Sequence, residues 1–348
     1  MLNPSFWTLL RSPVPWIVLA VAVSAPLWMS PFYMSIAILT LFYVGFAMAW
    51  NIVGGISGLL SLGHSIFVGT GAILTSALFL NLGINMWLGV VIACVISALV
   101  GAVISWLDYR FRLGHLSFAL ITLAFAEVFL LVVLGTDFLG GASGLILPND
   151  TGNFLQFEFG GGRGYFYLSL SLAVFALLVN LLIINSPLGY FLRCIRDNED
   201  AAQAIGIDLL RCKMVSMAIS GALSALVGAA YGRYMVFIDP YLFAGLNLTI
   251  EVVLVATIGG LGTPFGPLVA TLLLIPFGEV IRGHLGGVLP GLHTFIYGAL
   301  IVIVILAMPR GLVPTAQDWW QRRRRRGEAA QEKPELQRGL KPPTPMED

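Results

Sequence analysis

The groups able to do chemistry inside the apolar part of this chain are few. Glu127, Glu251 and Glu279 lie within apolar runs, and Asp137 lies near the end of one. Glu279 precedes Arg282 by three residues, so on a helix the two can pair. Glu127 sits in mid-run, where a charge is costly and marks a pathway or a buried pair. Ion-driven transport would use such a carboxylate. The four histidines, His64, His115, His284 and His293, are scattered, so no metal site is expected, and no HExxH occurs. A Walker A loop holds phosphates with a Gly-rich turn ending in Lys-Ser/Thr, and Lys213, Lys333 and Lys341, the only lysines, stand in no such turn. There is no GxSxG elbow. Cys94, Cys194 and Cys212 make neither a disulfide framework nor a metal quartet. No catalytic residue is expected, and an enzyme finds little support.

One stretch departs from this poverty of charge: "RCIRDNEDAAQAIGID", Arg193 to Asp208. Asp197 or Asn198 can cap a helix there, and the acids that follow suit its dipole. Ala201, Ala202, Ile205 and Leu209 recur at helical spacing as a small apolar face. Arg196 and Asp200 can pair four apart. Gly206 is placed to end the helix in a left-handed turn, with Ile207 folding back. Two turns are too short to be stable alone, so neighbouring helices or a partner protein must hold the segment.

The elements that position these residues follow from composition. The chain has 348 residues, 58% hydrophobic and 11% charged, with a mean hydropathy of +0.89. A soluble domain carries roughly a quarter charged residues, so the solvent here is mostly lipid and the expected fold is an all-α polytopic membrane protein. Apolar runs near the ~20 residues that cross a bilayer occupy Pro15–Ser30, Pro31–Val53, Ser61–Leu80, Met86–Leu107, Leu116–Gly135 and Tyr165–Asn185. Others occupy Met214–Ile238, Leu246–Ile258, Phe265–Ile281 and Pro290–Met308, giving about ten segments. Leu246–Ile258 is short and reads as a re-entrant half or as a helix that starts earlier. The run after Arg11 is read as a retained first helix rather than a cleaved signal.

Arginine in the loops sets the expected orientation. Arg11, the pair Arg110 and Arg112, the group Arg193, Arg196, Arg211 and Lys213, and Arg310 with the run Arg322–Arg326 all fall on one side if both termini are cytoplasmic. Arg163, Arg233 and Arg282 are exceptions. The Gly-rich stretch from Asp137 to Gly164 is then a flexible outer loop. Residues 1–310 form the membrane domain, 186–213 a cytoplasmic loop within it, and 311–348 a basic, disordered tail whose "WWQRRRRR" meets membrane lipid. "VGGISGLLSLGHSIFVGTGAILT" (Val53–Thr75) and "IGGLGTPFGPLVATLLL" (Ile258–Leu274) each join a Gly-rich break to a helix start, a possible internal repeat. Paired breaks of this kind mark substrate paths in transporters.

Three elements carry a resemblance to the permeases of branched-chain amino-acid ATP-binding-cassette importers. They are "GGISGLLSLGH" (Gly54–His64), "RCIRDNEDAAQAIGI" (Arg193–Ile207) and "IGGLGTPFGP" (Ile258–Pro267), in order over roughly residues 42–310. "EDAAQAIGI" also resembles the Glu-Ala-Ala coupling loop of importers of this class more widely, although Asp200 stands between Glu199 and Ala201.

The resemblance implies a second related permease, two ATP-binding subunits that use ATP and Mg, and a periplasmic substrate-binding protein, in a bacterial inner membrane. It implies no cofactor in this chain and no nucleic-acid partner. Arg196, Asp197, Glu199, Ala201, Ala202 and Gly206 would form the ATPase-coupling surface, with Ala202→Arg expected to abolish uptake while the protein stays in the membrane. Asn51, Ser61, His64, Glu127 and Glu251 are candidates for the translocation path, and packing or capping is the favoured role of Asn51 and His64. Related permeases carry urea or short amides, and an ion-coupled carrier built on Glu127 is the rival of another class.

Overall fold

The computed structural model describes residues 20–285, 292–308, 311–315 and 319. The run of Arg322–Arg326, most of the expected tail, Arg11 and residues 15–19 of the first expected segment lie outside the described residues. Among the described residues seven helices are long and apolar enough to cross a membrane. They are α1 (Pro31–Asn51, continued by a π-helical turn to Ile56), α2 (Ser65–Leu82), α3 (Met86–Phe111), α4 (His115–Leu134), α5 (Gly162–Ile184), α8 (Leu209–Met235) and α11 (Gly266–Leu285). Two short helices, α6 (Pro187–Asp197) and α7 (Glu199–Ala204), link α5 to α8. Then come α9 (Pro240–Ala244), α10 (Leu246–Gly259) and the 16-residue α12 (Leu292–Ala307). The expected all-α membrane architecture is present. The expected short segment Leu246–Ile258 is indeed short: α10 has 14 residues, about 21 Å at 1.5 Å per residue, and the five-residue α9 precedes it.

Small residues place α8 at the centre. Its Gly228 and Gly232 let α2 approach to backbone contact, a Cβ at Gly228 lying 2.5 Å from the carbonyl oxygen of Val68, and its Gly221 does the same for α3 at the Ser97 carbonyl. This is the close packing that glycine permits between membrane helices. The opposite case is α3, whose outward positions Leu88, Val91, Val95, Leu99, Val103 and Trp106 are all exposed and apolar. That face suits lipid.

The ends of the bundle are set by its ion pairs. Lys213, near the start of α8, bonds Asp108 near the end of α3, and Arg193 of α6 donates to the carbonyl of Ile184 at the end of α5. We call this the basic end, since Arg110, Arg112, Arg193 and Arg211 gather there. Tracking eleven residues up α8 from Leu209 reaches Ser220, about 16 Å inward. His64 bonds Ser220, so α2 begins near mid-bundle and runs to the opposite end. The first turn of α10 lies at the same depth, because Thr249 accepts a hydrogen bond from the Ser65 amide. From there α10 runs toward the basic end. The bundle therefore contains two helices that start in its middle.

The Asp137–Gly164 stretch is folded rather than flexible. Leu145–Ile146 pairs antiparallel with Phe237–Ile238. Glu158, 3% exposed, bonds Arg233 at 2.9 Å, and Arg233 also donates to the Pro148 carbonyl. Arg233 is thus not the isolated charge that loop statistics suggest. The Thr151 hydroxyl holds the Glu158 carboxyl below the usual range, outweighing burial, with help from the Thr151 and Asn153 amides and the Arg233 charge. Trp87, Phe154, Phe157 and Phe159 stack over this corner at ring separations of 4.7 to 6.5 Å.

Candidate coupling and translocation sites

The charged stretch forms two helices joined at Asn198. Its backbone there is extended (φ −164, ψ 111), and its side chain caps α7 by accepting from the Ala201 amide at 2.9 Å. That break puts Arg196 and Asp200 on different helices, so the expected pair does not form. Arg196 lies 3.6 Å from Asp197 instead. Gly206 takes the expected left-handed turn (φ +90), and the Ile207 amide folds back to the Ala202 carbonyl at 3.1 Å. Because the chain turns at Gly206, Ile207 packs inward while Ile205 is left 74% exposed. The expected four-residue apolar face is halved. Ala202 and Leu209 are buried, and Ala201 and Ile205 point out.

Two of the charges in this segment face the bundle. Glu199 bonds Lys213 at 2.7 Å, and Lys213 reaches Asp108 at 2.8 Å on its other side. Lys213 is buried, where a cation persists only with such partners. Arg196 donates to the Gly55 carbonyl at 3.1 Å. Asp197, Asp200, Ala201, Gln203, Ala204, Ile205 and Gly206 make the outward face. Ala202 is not on it, so an arginine there would strike the packed interior as well as any partner.

The path candidates separate into groups. Asn51 is fully buried and joins the two glycine-rich breaks: its Oδ1 accepts from the Gly262 amide at 3.2 Å, and its Nδ2 donates to the Thr263 carbonyl at 3.4 Å and to Asn180 at 3.1 Å. Ser61 and His64 bond each other at 2.9 Å. Ser220 donates to the Ala49 carbonyl, which leaves it to accept from Nε2–H of His64. Nδ1 of His64 is then the acceptor for Ser61. The Trp50 indole donates to the Ser61 carbonyl at 2.8 Å. Both ring nitrogens of His64 are satisfied, the mark of a clamp that fixes the start of α2.

Glu251 lies apart from that clamp, on α10, accepting from the Tyr43 hydroxyl at 2.8 Å. Glu127 is exposed midway along α4, on a stripe with Leu120, Ala124, Val128 and Leu131. Glu279 and Arg282 pair at 3.5 Å as their spacing suggests. Among the described residues no group of three or more His, Cys, Asp or Glu could hold a metal ion. Sequence reasoning passed over Asp108, Asn180 and Thr249, and it read Lys213 only as a loop charge. An aspartate immediately after one apolar run, which ends at Leu107, and a lysine immediately before another, which starts at Met214, were the available signal.

The profile of the family described as "Branched-chain amino acid transport system / permease component" matches residues 32–305. The chain belongs to this permease family. The permease is 27% identical over 319 residues to the high-affinity branched-chain amino acid transport system permease protein LivM of Salmonella typhimurium, and equally to that of Escherichia coli. Each alignment covers 85% of the permease and 73% of the relative. A probable branched-chain amino acid transport permease protein LivM of Methanocaldococcus jannaschii is 27% identical over 241 residues, 65% of the permease and 68% of the relative. No solved structure matches it. The permease is a multi-pass membrane protein, and all three motifs that carried the resemblance lie within the matched span.

Proposed function

We propose that the permease imports branched-chain amino acids across a bacterial inner membrane as one of two related membrane subunits of an ATP-binding-cassette importer. The names of its relatives support the cargo class. The observation that carries the coupling role is the α6–α7 segment, held to the bundle by Arg196 and Glu199 while its opposite face presents small side chains. A self-contained carrier has no use for such a face. ATP and Mg belong to two partner subunits that dock on Ala201, Ala204 and Gly206 at the basic end, which faces the cytoplasm by its arginines. A periplasmic binding protein delivers substrate at the folded outer loop.

Exposure of Glu127 in mid-helix argues that the α4 stripe does not face lipid, where a carboxylate is expensive. It lines the boundary with the second permease, along which the amino acid passes. The mid-bundle starts of α2 and α10 are the discontinuous helices that such a path uses. The test is radiolabelled leucine uptake in cells lacking the chain. Wild type restores it, and Ala204→Arg, an exposed change, does not. Uptake indifferent to the chain would move the cargo to urea or a short amide.

A further inference from the structure

The two glycine-rich breaks, 211 residues apart at the Asn51–Gly262 bond, meet at the basic end, and one side chain of the coupling segment is wedged against both. We propose that this meeting point is the inner gate of the permease and that Arg196 is the positioning residue that latches it. The inference rests on the reading of α6–α7 as the ATPase-coupling segment.

The joint is made from backbone and small polar groups. A Cβ at Gly55 would lie 2.6 Å from the Gly262 nitrogen, and one at Gly262 would lie 2.7 Å from the Gly55 carbonyl oxygen. The breaks therefore touch main chain to main chain. Asn51 crosses the contact with hydrogen bonds to Gly262 and Thr263. Arg196 closes it from the coupling side. Its guanidinium donates to the Gly55 carbonyl at 3.1 Å. A Cβ at Gly262 would lie 2.5 Å from Arg196 Nη1, and one at Gly58 would lie 2.3 Å from Arg196 Cγ. Gly58 and Gly262 both have positive φ (+75 and +71), so each also needs glycine for its backbone.

Where the two breaks touch, main chain and side-chain polar groups meet, and their hydrogen bonds are individually modest. The break between α1 and α2 is otherwise fixed at its far end by the Trp50, Ser61, His64 and Ser220 clamp, so motion is confined to Ile56–Leu60. Arg196 is the penultimate residue of α6, two residues before the Asn198 break that begins α7. A tilt of α7 by a docked partner therefore reaches Gly55 through a single side chain. The neighbouring Asp197 carboxylate, largely exposed, already pairs with Arg196 Nε at 3.6 Å and can keep the guanidinium once it leaves Gly55.

The test is cysteine labelling in membranes, which depends on neither cargo nor ATPase. Ser57, 1% exposed beside the joint, is replaced by cysteine in the full chain with the native cysteines removed, and a membrane-impermeant maleimide is added from the basic side. Arg196→Met should raise the labelling rate about 10-fold, the factor that loss of one charged hydrogen bond supplies. Arg196→Lys, which still donates to Gly55, should restore most of the protection. A control cysteine at buried Ser97, in the α3–α8 contact, should not change. Equal rates at Ser57 with and without Arg196 would overturn the latch, and a rise at both sites would overturn it in favour of general loosening. Failure of the wild type to carry leucine would strike the cargo reading alone.

Discussion

Glu199 and Lys213 bond at 2.7 Å, across the turn that separates the α6–α7 segment from α8, with Asp108 of α3 holding the same ammonium at 2.8 Å. One cation thus ties α7 to two membrane helices. Its own side chain is only 3% exposed. The tie makes a short helix, unstable alone, into a fixed part of the bundle's basic end.

Lys213→Met should destabilise the permease by about 3–5 kcal/mol, because it removes the cation from a buried carboxylate. Thermal unfolding in detergent reads this. Combining it with Asp108→Asn should cost less than the sum of the two single changes, and simple additivity would contradict the shared site.

Ser220→Ala should cost about 1–3 kcal/mol by leaving Nε2–H of His64 without an acceptor in a dry site. Leucine transport per folded molecule should change little, since the account makes His64 a clamp and not a substrate ligand. A changed Michaelis constant for leucine with unchanged stability would place His64 on the path instead.

Acid should loosen the outer loop. The Glu158 carboxyl is held below its usual value in the folded chain, so its contribution is complete above the unfolded value, about 4.3 for glutamate. That contribution is lost as pH falls through the depressed folded value. The protection of the Thr151 and Asn153 amides, which bond this carboxylate, measured as exchange relative to the intrinsic rate at each pH, should fall in that window. Glu158→Gln should abolish the pH dependence of that protection and lower it at neutral pH.

Glu127→Leu should leave the stability of the isolated permease within about 0.5 kcal/mol of wild type, as for an exposed position, while lowering uptake by the assembled system. Unchanged uptake would return the α4 stripe to lipid.

Much of this was legible in the sequence because membrane spans are written in length and composition. The cap at Asn198 and the turn at Gly206 were legible because both are local chemistry. What escaped was non-local. The loop after α4 looked flexible because its anchor, Glu158 to Arg233, joins residues 75 apart. The Arg196–Asp200 pair was expected from helical spacing, and it failed because Asn198 offers the backbone a cap in place of continuous helix. The two glycine motifs were visible as an echo, yet nothing in either reveals that Asn51 sits between them. Only the fold brings Gly262 to it.

The most direct measurement is leucine uptake together with ATP hydrolysis by the permease, assembled with its second permease, ATPase subunits and binding protein in proteoliposomes. The account predicts leucine import coupled to hydrolysis with the wild-type chain. With Ala204→Arg both should fall, because the ATPases lose their seat. Leucine import that persists without ATP, or that the Ala204→Arg chain supports as well as wild type, would contradict it.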